Sequence, residues 1–153
     1  MSDLREEIKQ TAAWQGPEQE AYLSLLRTAG CLEHEAGEVF RTAGITATQY
    51  NVLRILRGAG LSGLCRGEIR DRLLTQVPDV TRLLDRMEAA GLIERQRSGD
   101  DRRFVNTRIT AAGLALLERL DPEVAAMHRR QLGHMSEDEL RALTGLLSKV
   151  RQG

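Results

Sequence analysis

Residues 76–109 read QVPDVTRLLDRMEAAGLIERQRSGDDRRFVNTRI, and the fold turns on how this stretch divides. Its first half carries Val80, Leu83, Leu84 and Met87 at i, i+3, i+4 and i+7, the spacing that puts side chains on one face of an α-helix. Pro78, Arg82, Asp85, Arg86 and Ala89 then point the other way, with Asp79 and Thr81 on the flanks. Gly91 supplies the residue just past the C-terminus. The segment therefore predicts a helix of roughly 15 residues, about 22 Å long, with Pro78 tolerated in its first turn. The second half changes period. Leu92, Ile93 and Glu94 open a short strand, and Phe104–Ile109 return it. The turn between them holds Arg95, Arg97, Arg102 and Arg103 around Ser98-Gly99-Asp100-Asp101, which is turn chemistry.

Each half alone has an ordinary reading. An amphipathic helix with arginines on one side is a common surface helix, and a charged turn is commonly just solvated. In succession they say more. A helix sized for the major groove of DNA, followed by an arginine-tipped hairpin, outlines a winged helix-turn-helix. Arginines at a hairpin tip suit a narrow minor groove, where negative potential is enhanced. Asp101 and Arg103 lie two apart, so on extended backbone they share a face and the carboxylate can brace the guanidinium.

Upstream, residues 1–16 are a polar lead with the only tryptophan, Trp14. A long helix is expected from Glu18 to about Arg41, with Tyr22, Leu25, Leu26, Ala29, Leu32, Ala36, Val39 and Phe40 as a broad apolar stripe, and Gly44 ending the segment. Thr46-x-x-Gln49 is a capping-box pattern that starts a helix near Ala47 and carries it to about Gly58. Ala59–Leu64 reads as a loop, and a short helix follows over about Arg66–Leu73. After the hairpin, Thr110 caps a helix running to about Gln131, with Leu114, Leu117, Leu120, Val124 and Met127 inward. Pro122 either kinks that helix or splits it, with Asp121 as a new cap. Ser136-x-x-Glu139 opens a last helix bearing Leu140, Leu143, Leu146, Leu147 and Val150. The expected fold is mainly α with a small β-hairpin wing. Residues 1–44 and 110–153 are helical flanks of a winged helix-turn-helix at 45–109, and the apolar stripe of the first long helix needs cover either from the C-terminal helices or from a second chain.

The quoted segments resemble the MarR family of bacterial transcription regulators. The likeness is carried by Val80–Glu88, Gly91–Arg95, Asp101–Arg103 and Ile109–Gly113, with Ile45–Leu56 similar to that family's helix before the helix-turn-helix. In this order and spacing the pieces are specific, and they cover roughly residues 20–151. The resemblance implies a homodimeric repressor or activator of double-stranded DNA, with residues 1–44 and 110–153 as its dimerisation helices, often released by a small ligand or an oxidant, and with an effector pocket between dimer body and winged region. Trp14, Tyr22, His34 and Arg54 are candidates to line such a pocket, each with a packing or surface reading beside it, and no effector is named. One departure concerns Thr75-Gln76-Val77-Pro78-Asp79, where the family often carries small polar residues. The DNA-binding residues expected here are Gln76, Val77, Pro78, Asp79, Thr81, Arg82, Arg86, Arg95, Arg97, Asp101, Arg102 and Arg103. Arg82 points furthest from the apolar face and is the base reader. Asp101 braces Arg103 in the minor groove, and Arg95, Arg97 and Arg102 meet phosphates.

Bulk properties set limits. The 153 residues fit one domain. Net charge is zero, with 22 basic and 22 acidic residues, which argues against a general nucleic-acid coat but leaves room for a local basic patch. Aromatic residues are 3% of the chain, too few for a single-strand binder built on stacked rings. No membrane span and no signal peptide are legible, so a cytoplasmic location is expected. No phosphate loop, catalytic triad or HExxH pattern appears, so neither an enzyme nor a cofactor is expected. Cys31 and His34 share a helix face and, with His128 or His134, offer metal-ligand chemistry. The plainer reading is a buried thiol beside a surface histidine, and no metal is assigned. Cys31 or Cys65 as a redox sensor, and a winged-helix module that uses its arginines on an acidic protein, stand as competing functions.

Overall fold

A computed structural model describes residues 3–97 and 105–153. The elements run α1 (Leu4–Glu7), α2 (Pro17–Thr42), α3 (Ala47–Ala59), β1 (Leu64–Cys65), α4 (Arg66–Arg72), α5 (Val80–Ala89), β2 (Ile93–Arg97), β3 (Val105–Ile109), α6 (Ala111–Leu132) and α7 (Glu137–Gln152), with a 3-10 turn at Gly60–Ser62. The fold is mainly helical with one small antiparallel sheet of order β1-β3-β2.

Helix starts follow local hydrogen bonding. At α3 the Thr46 hydroxyl accepts from the Gln49 amide at 3.1 Å, and the Gln49 side chain accepts from the Thr46 amide at 2.9 Å. The same reciprocal pair opens α7 between Ser136 and Glu139, and Thr110 caps α6 by accepting from Gly113 N at 3.1 Å. Each satisfies amides that the first turn leaves without partners. Gly91, at φ +73°, makes the left-handed step that ends α5 and aims the chain into β2. In the hairpin Ile93 pairs with Ile109, Arg95 with Thr107 and Arg97 with Val105.

One core joins the winged region to α6. Val52, Leu53 and Leu56 of α3, Ile69 of α4, Leu84 and Met87 of α5, Ile93 of β2, and Leu117 and Leu120 of α6 are fully or nearly fully buried together. Phe40 of α2 stacks on Tyr50 of α3, ring centroids 4.4 Å apart, and ties the long helix to this core. The other end of the molecule is different. No α7 residue is buried among the described residues, and Leu146 and Val150 are 64% and 63% exposed. Tyr22 and Leu26 on the first half of α2 are 61% and 54% exposed.

Several expectations change. The expected 15-residue helix is shorter: α5 has 10 residues, about 15 Å, and begins after Asp79 rather than around Gln76. Gln76, Val77 and Pro78 therefore lie in the loop before it, and Pro78 is not in a helical turn. Arg95 and Arg97 lie within β2, not in the turn. The Ala59–Leu64 loop contains the 3-10 turn, and β1 follows as a third strand, with Leu64 opposite Thr107. α6 is continuous through Pro122, so the split at Asp121 is not realised. Leu114 is 37% exposed rather than inward. Cys31 is exposed and Cys65 half-buried, so the Cys31 thiol is not buried.

Candidate nucleic-acid interface

α5 is held from below and from one side. Val80, Leu84 and Met87 anchor its apolar face in the core, while Arg82 and Arg86 are exposed on the opposite face. The helix start is fixed by Asp79, whose Oδ1 accepts from Arg82 N at 2.9 Å. That bond uses one carboxylate oxygen for capping. Its other oxygen is the one left for the DNA contact expected of Asp79.

Grooves flank the N-terminal half of α5. One is lined by Thr46 and Thr48 at the start of α3, by Gln76 and Pro78, and by Arg82 and Arg86. The other is lined by Arg66 and Arg70 of α4 and by Val77–Thr81. The structure thus gathers Gln76, Val77, Pro78, Asp79, Thr81, Arg82 and Arg86 around one protruding helix. It adds Arg66, Arg70 and Thr48, and Thr46, which the sequence marks only as a helix cap. Arg66 donates to Thr81 Oγ1 at 2.8 Å, so the flank residue Thr81 is engaged by the neighbouring helix. The available signal was the i,i+4 spacing of Arg66 and Arg70 on the first helix of a helix-turn-helix, the one that crosses the backbone.

Arg95 departs most from expectation. Its Nε donates to Glu88 Oε2 at 3.0 Å, its Nη2 to Asp85 Oδ1 at 2.6 Å, and its backbone N to Glu88 Oε1 at 3.1 Å. Its side chain is only 22% exposed. The side-chain hydrogen bond from Arg95 holds the Glu88 carboxyl below the usual carboxylate range, with burial acting in the opposite sense. Glu88 and Asp85 correspondingly raise Arg95. A guanidinium already bonded to two carboxylates is a poor phosphate ligand. Arg95 instead braces α5 against β2. Arg97 ends β2 with an exposed side chain. Asp101, Arg102 and Arg103, with the proposed Asp101–Arg103 brace, lie outside the described residues.

Behind α5, between α4 and the sheet, is a cavity of about 330 Å³ lined by Cys65, Arg66, Gly67, Thr81, Leu84, Arg95, Val105 and Thr107. Of the side chains considered for an effector pocket, Tyr22 is exposed and Arg54 donates to the Tyr50 hydroxyl at 3.2 Å. Among the described residues, no group of three or more His, Cys, Asp and Glu is placed to hold a metal ion. No helix among them is long and apolar enough to cross a membrane.

Comparison with known proteins fits this geometry. A sequence model of the MarR family matches residues 43–103. The HTH-type transcriptional regulator PecS of Dickeya dadantii is 30% identical over 130 residues, 84% of this chain and 78% of that protein. A MarR transcription factor from Planctomyces limnophilus is 41% identical, with a TM-score of 0.70 over 89% of this chain and 98% of the other. The MepR–DNA complex of S. aureus is 25% identical with a TM-score of 0.76, covering 86% and 96% of the two chains.

Proposed function

Because the chain belongs to the MarR family of transcriptional regulators, we propose that it is a homodimeric repressor that binds a palindromic duplex operator. The observation that carries this reading is α5 itself. Its apolar face is sunk in the core while Arg82 and Arg86 stand on the exposed side between two grooves that hold Arg66, Arg70, Thr46 and Thr48. A twofold partner places a second α5 about one helical turn of DNA away, roughly 34–36 Å, and each enters a major groove. Arg82 reads base edges, and Gln76, Thr81 and Arg86 meet bases and phosphates. Arg66, Arg70 and Arg97 meet phosphates. Arg102 and Arg103 at the hairpin tip are assigned to phosphate and minor groove, with Asp101 as brace.

The dimer is supported by the bare apolar side chains of α7 and the first half of α2. A 16-residue helix with nothing buried is marginal in water by its own propensity and calls for a covering surface. A cytoplasmic protein without catalytic activity completes the reading. Response to a small molecule or an oxidant belongs to it as well. The cavity behind α5, with Cys65 on its wall, is the feature that supports that response.

The test is a gel shift with the DNA flanking the protein's own coding sequence, and with a random-core duplex library, at fixed salt. A retarded species with two chains per duplex, weakened steadily as salt rises, is expected. Binding that does not distinguish any duplex from bulk competitor DNA overturns the operator reading in favour of a protein-interaction module.

A further inference from the structure

α6 passes through two environments. Near its start it belongs to the winged region. The Thr110 hydroxyl donates to Gly91 O at 2.7 Å. Gly113 lies so close to the wing that an added Cβ would stand 2.4 Å from Leu92 O. Near its end it belongs to the body: Gln131 donates to Leu32 O and Arg130 to Glu35, each at 3.2 Å. Pro122 stands between. It has no amide to offer the carbonyl one turn back, so the helix lacks a rung between the part tied to the wing and the part tied to α2, although buried side chains continue on both sides of it.

One residue earlier, Asp121 accepts from both terminal nitrogens of Arg57, at 2.7 and 3.1 Å. Arg57 lies in the last turn of α3, whose buried face supports α4 and the sheet. The hydrogen bond from Arg57 holds the Asp121 carboxyl below its usual range. The carboxylate side of the pair is 43% exposed, and ion pairs so open to water contribute little to stability. What a two-point guanidinium–carboxylate contact does supply is direction. Here it fixes how α3, and with it the winged region, is set against the helix that carries on into the body.

We propose that Asp121 is a positioning residue for operator binding: with Arg57 it locks the winged region onto α6 beside the missing rung at Pro122, and so sets the separation of the two α5 helices in the dimer. The inference rests on the operator reading above and adds to it a residue far from the DNA face. With the lock intact, the two arginine faces are held at one separation and accept one half-site spacing. With it open, only the apolar core around Leu120, Val124 and Met127, which prescribes no direction, sets α3 against α6, and spacing becomes permissive.

The experiment uses the full chain. A preferred duplex is selected with the wild-type protein from a random-core library. Affinity is then measured for that duplex and for versions with the centre lengthened or shortened by one base pair. The wild type is expected to lose about tenfold or more on the altered spacings, since half-site separation is a geometric match. Asp121→Asn is expected to discriminate by less than about threefold while its oligomeric state and melting are unchanged. Arg57→Asp combined with Asp121→Arg is expected to recover the discrimination. Asp121→Glu, which keeps the charge on a longer arm, serves should the asparagine variant melt early, and is expected to change the preferred spacing. Spacing preference like that of the wild type in both Asp121→Asn and Asp121→Glu overturns the inference alone. Failure of the reversed pair to recover discrimination lost in Asp121→Asn also overturns it. A wild-type protein that selects no duplex overturns the operator reading and this inference with it.

Discussion

α5 and α7 are both amphipathic helices, and the fold treats them in opposite ways. α5 sinks Val80, Leu84 and Met87 into the core and leaves its arginines outside. α7 buries nothing among the described residues and leaves Leu146 and Val150 outside. The difference separates two kinds of unfinished surface. The α5 side is complete as a folded object and open only in charge, so it waits for a polyanion. The α7 side is open in apolar area, which is the surface the proposed dimer would cover.

The comparison breaks first on α7. Leu146→Asp with Val150→Asp places two carboxylates where a partner's apolar surface is expected. Sedimentation should show monomers, and operator affinity should fall by about 100-fold or more as the two-site advantage is lost. A dimer that survives both changes removes α7 from the interface. On the α5 side the apolar face is the structural one, so Leu84→Ala should lower unfolding free energy by about 2–5 kcal/mol, read from denaturant titration. A value under about 1 kcal/mol would mean that α5 is less firmly seated than Leu84, at 1% exposure, indicates.

The outer face should answer differently. Arg82→Ala should leave the melting curve in place and reduce discrimination at the right base pair by about 1–3 kcal/mol, measured on single-base operator variants. Arg97→Ala should weaken all duplexes alike and flatten the log affinity against log salt slope by about one unit. The smallest effect concerns the brace between α5 and β2. Because Glu88 titrates lower in the folded protein than in the unfolded chain, its contribution is complete above about pH 4.3 and is lost as pH falls through the depressed folded value. Thermal melts on the acid side should therefore fall less steeply with pH in Glu88→Gln than in wild type. Equal slopes would show that the Arg95 contact is not maintained in solution.

Local chemistry was legible in the sequence, and distant pairing was not. Thr46 with Gln49 and Ser136 with Glu139 declare helix starts within four residues, and both form as the pattern implies. Val80, Leu84 and Met87 declare a buried face by period alone. β1 could not be read that way. Two residues, Leu64 and Cys65, become a strand only because β3, some forty positions later, offers Thr107 and Asn106 opposite them. The start of α5 was misplaced because Pro78 is also a tolerated first-turn residue. Asp79, an N-cap residue type standing directly before the first apolar-periodic residue Val80, is the better signal, and its carboxylate accepts from the Arg82 amide. Arg95 reads as a phosphate ligand because Arg97, Arg102 and Arg103 share its hairpin, while its actual partners, Asp85 and Glu88, arrive across the helix-to-strand corner.

The bare face of α7 has a further consequence for the quantity of this protein that can persist. In the proposed dimer, a chain too dilute to find its partner leaves the apolar side chains of α7 uncovered, and a segment with few buried contacts opens to proteases more readily. Its lifetime would then depend on its own abundance. Dilution would then shorten the half-life of the chain as well as weaken its hold on DNA.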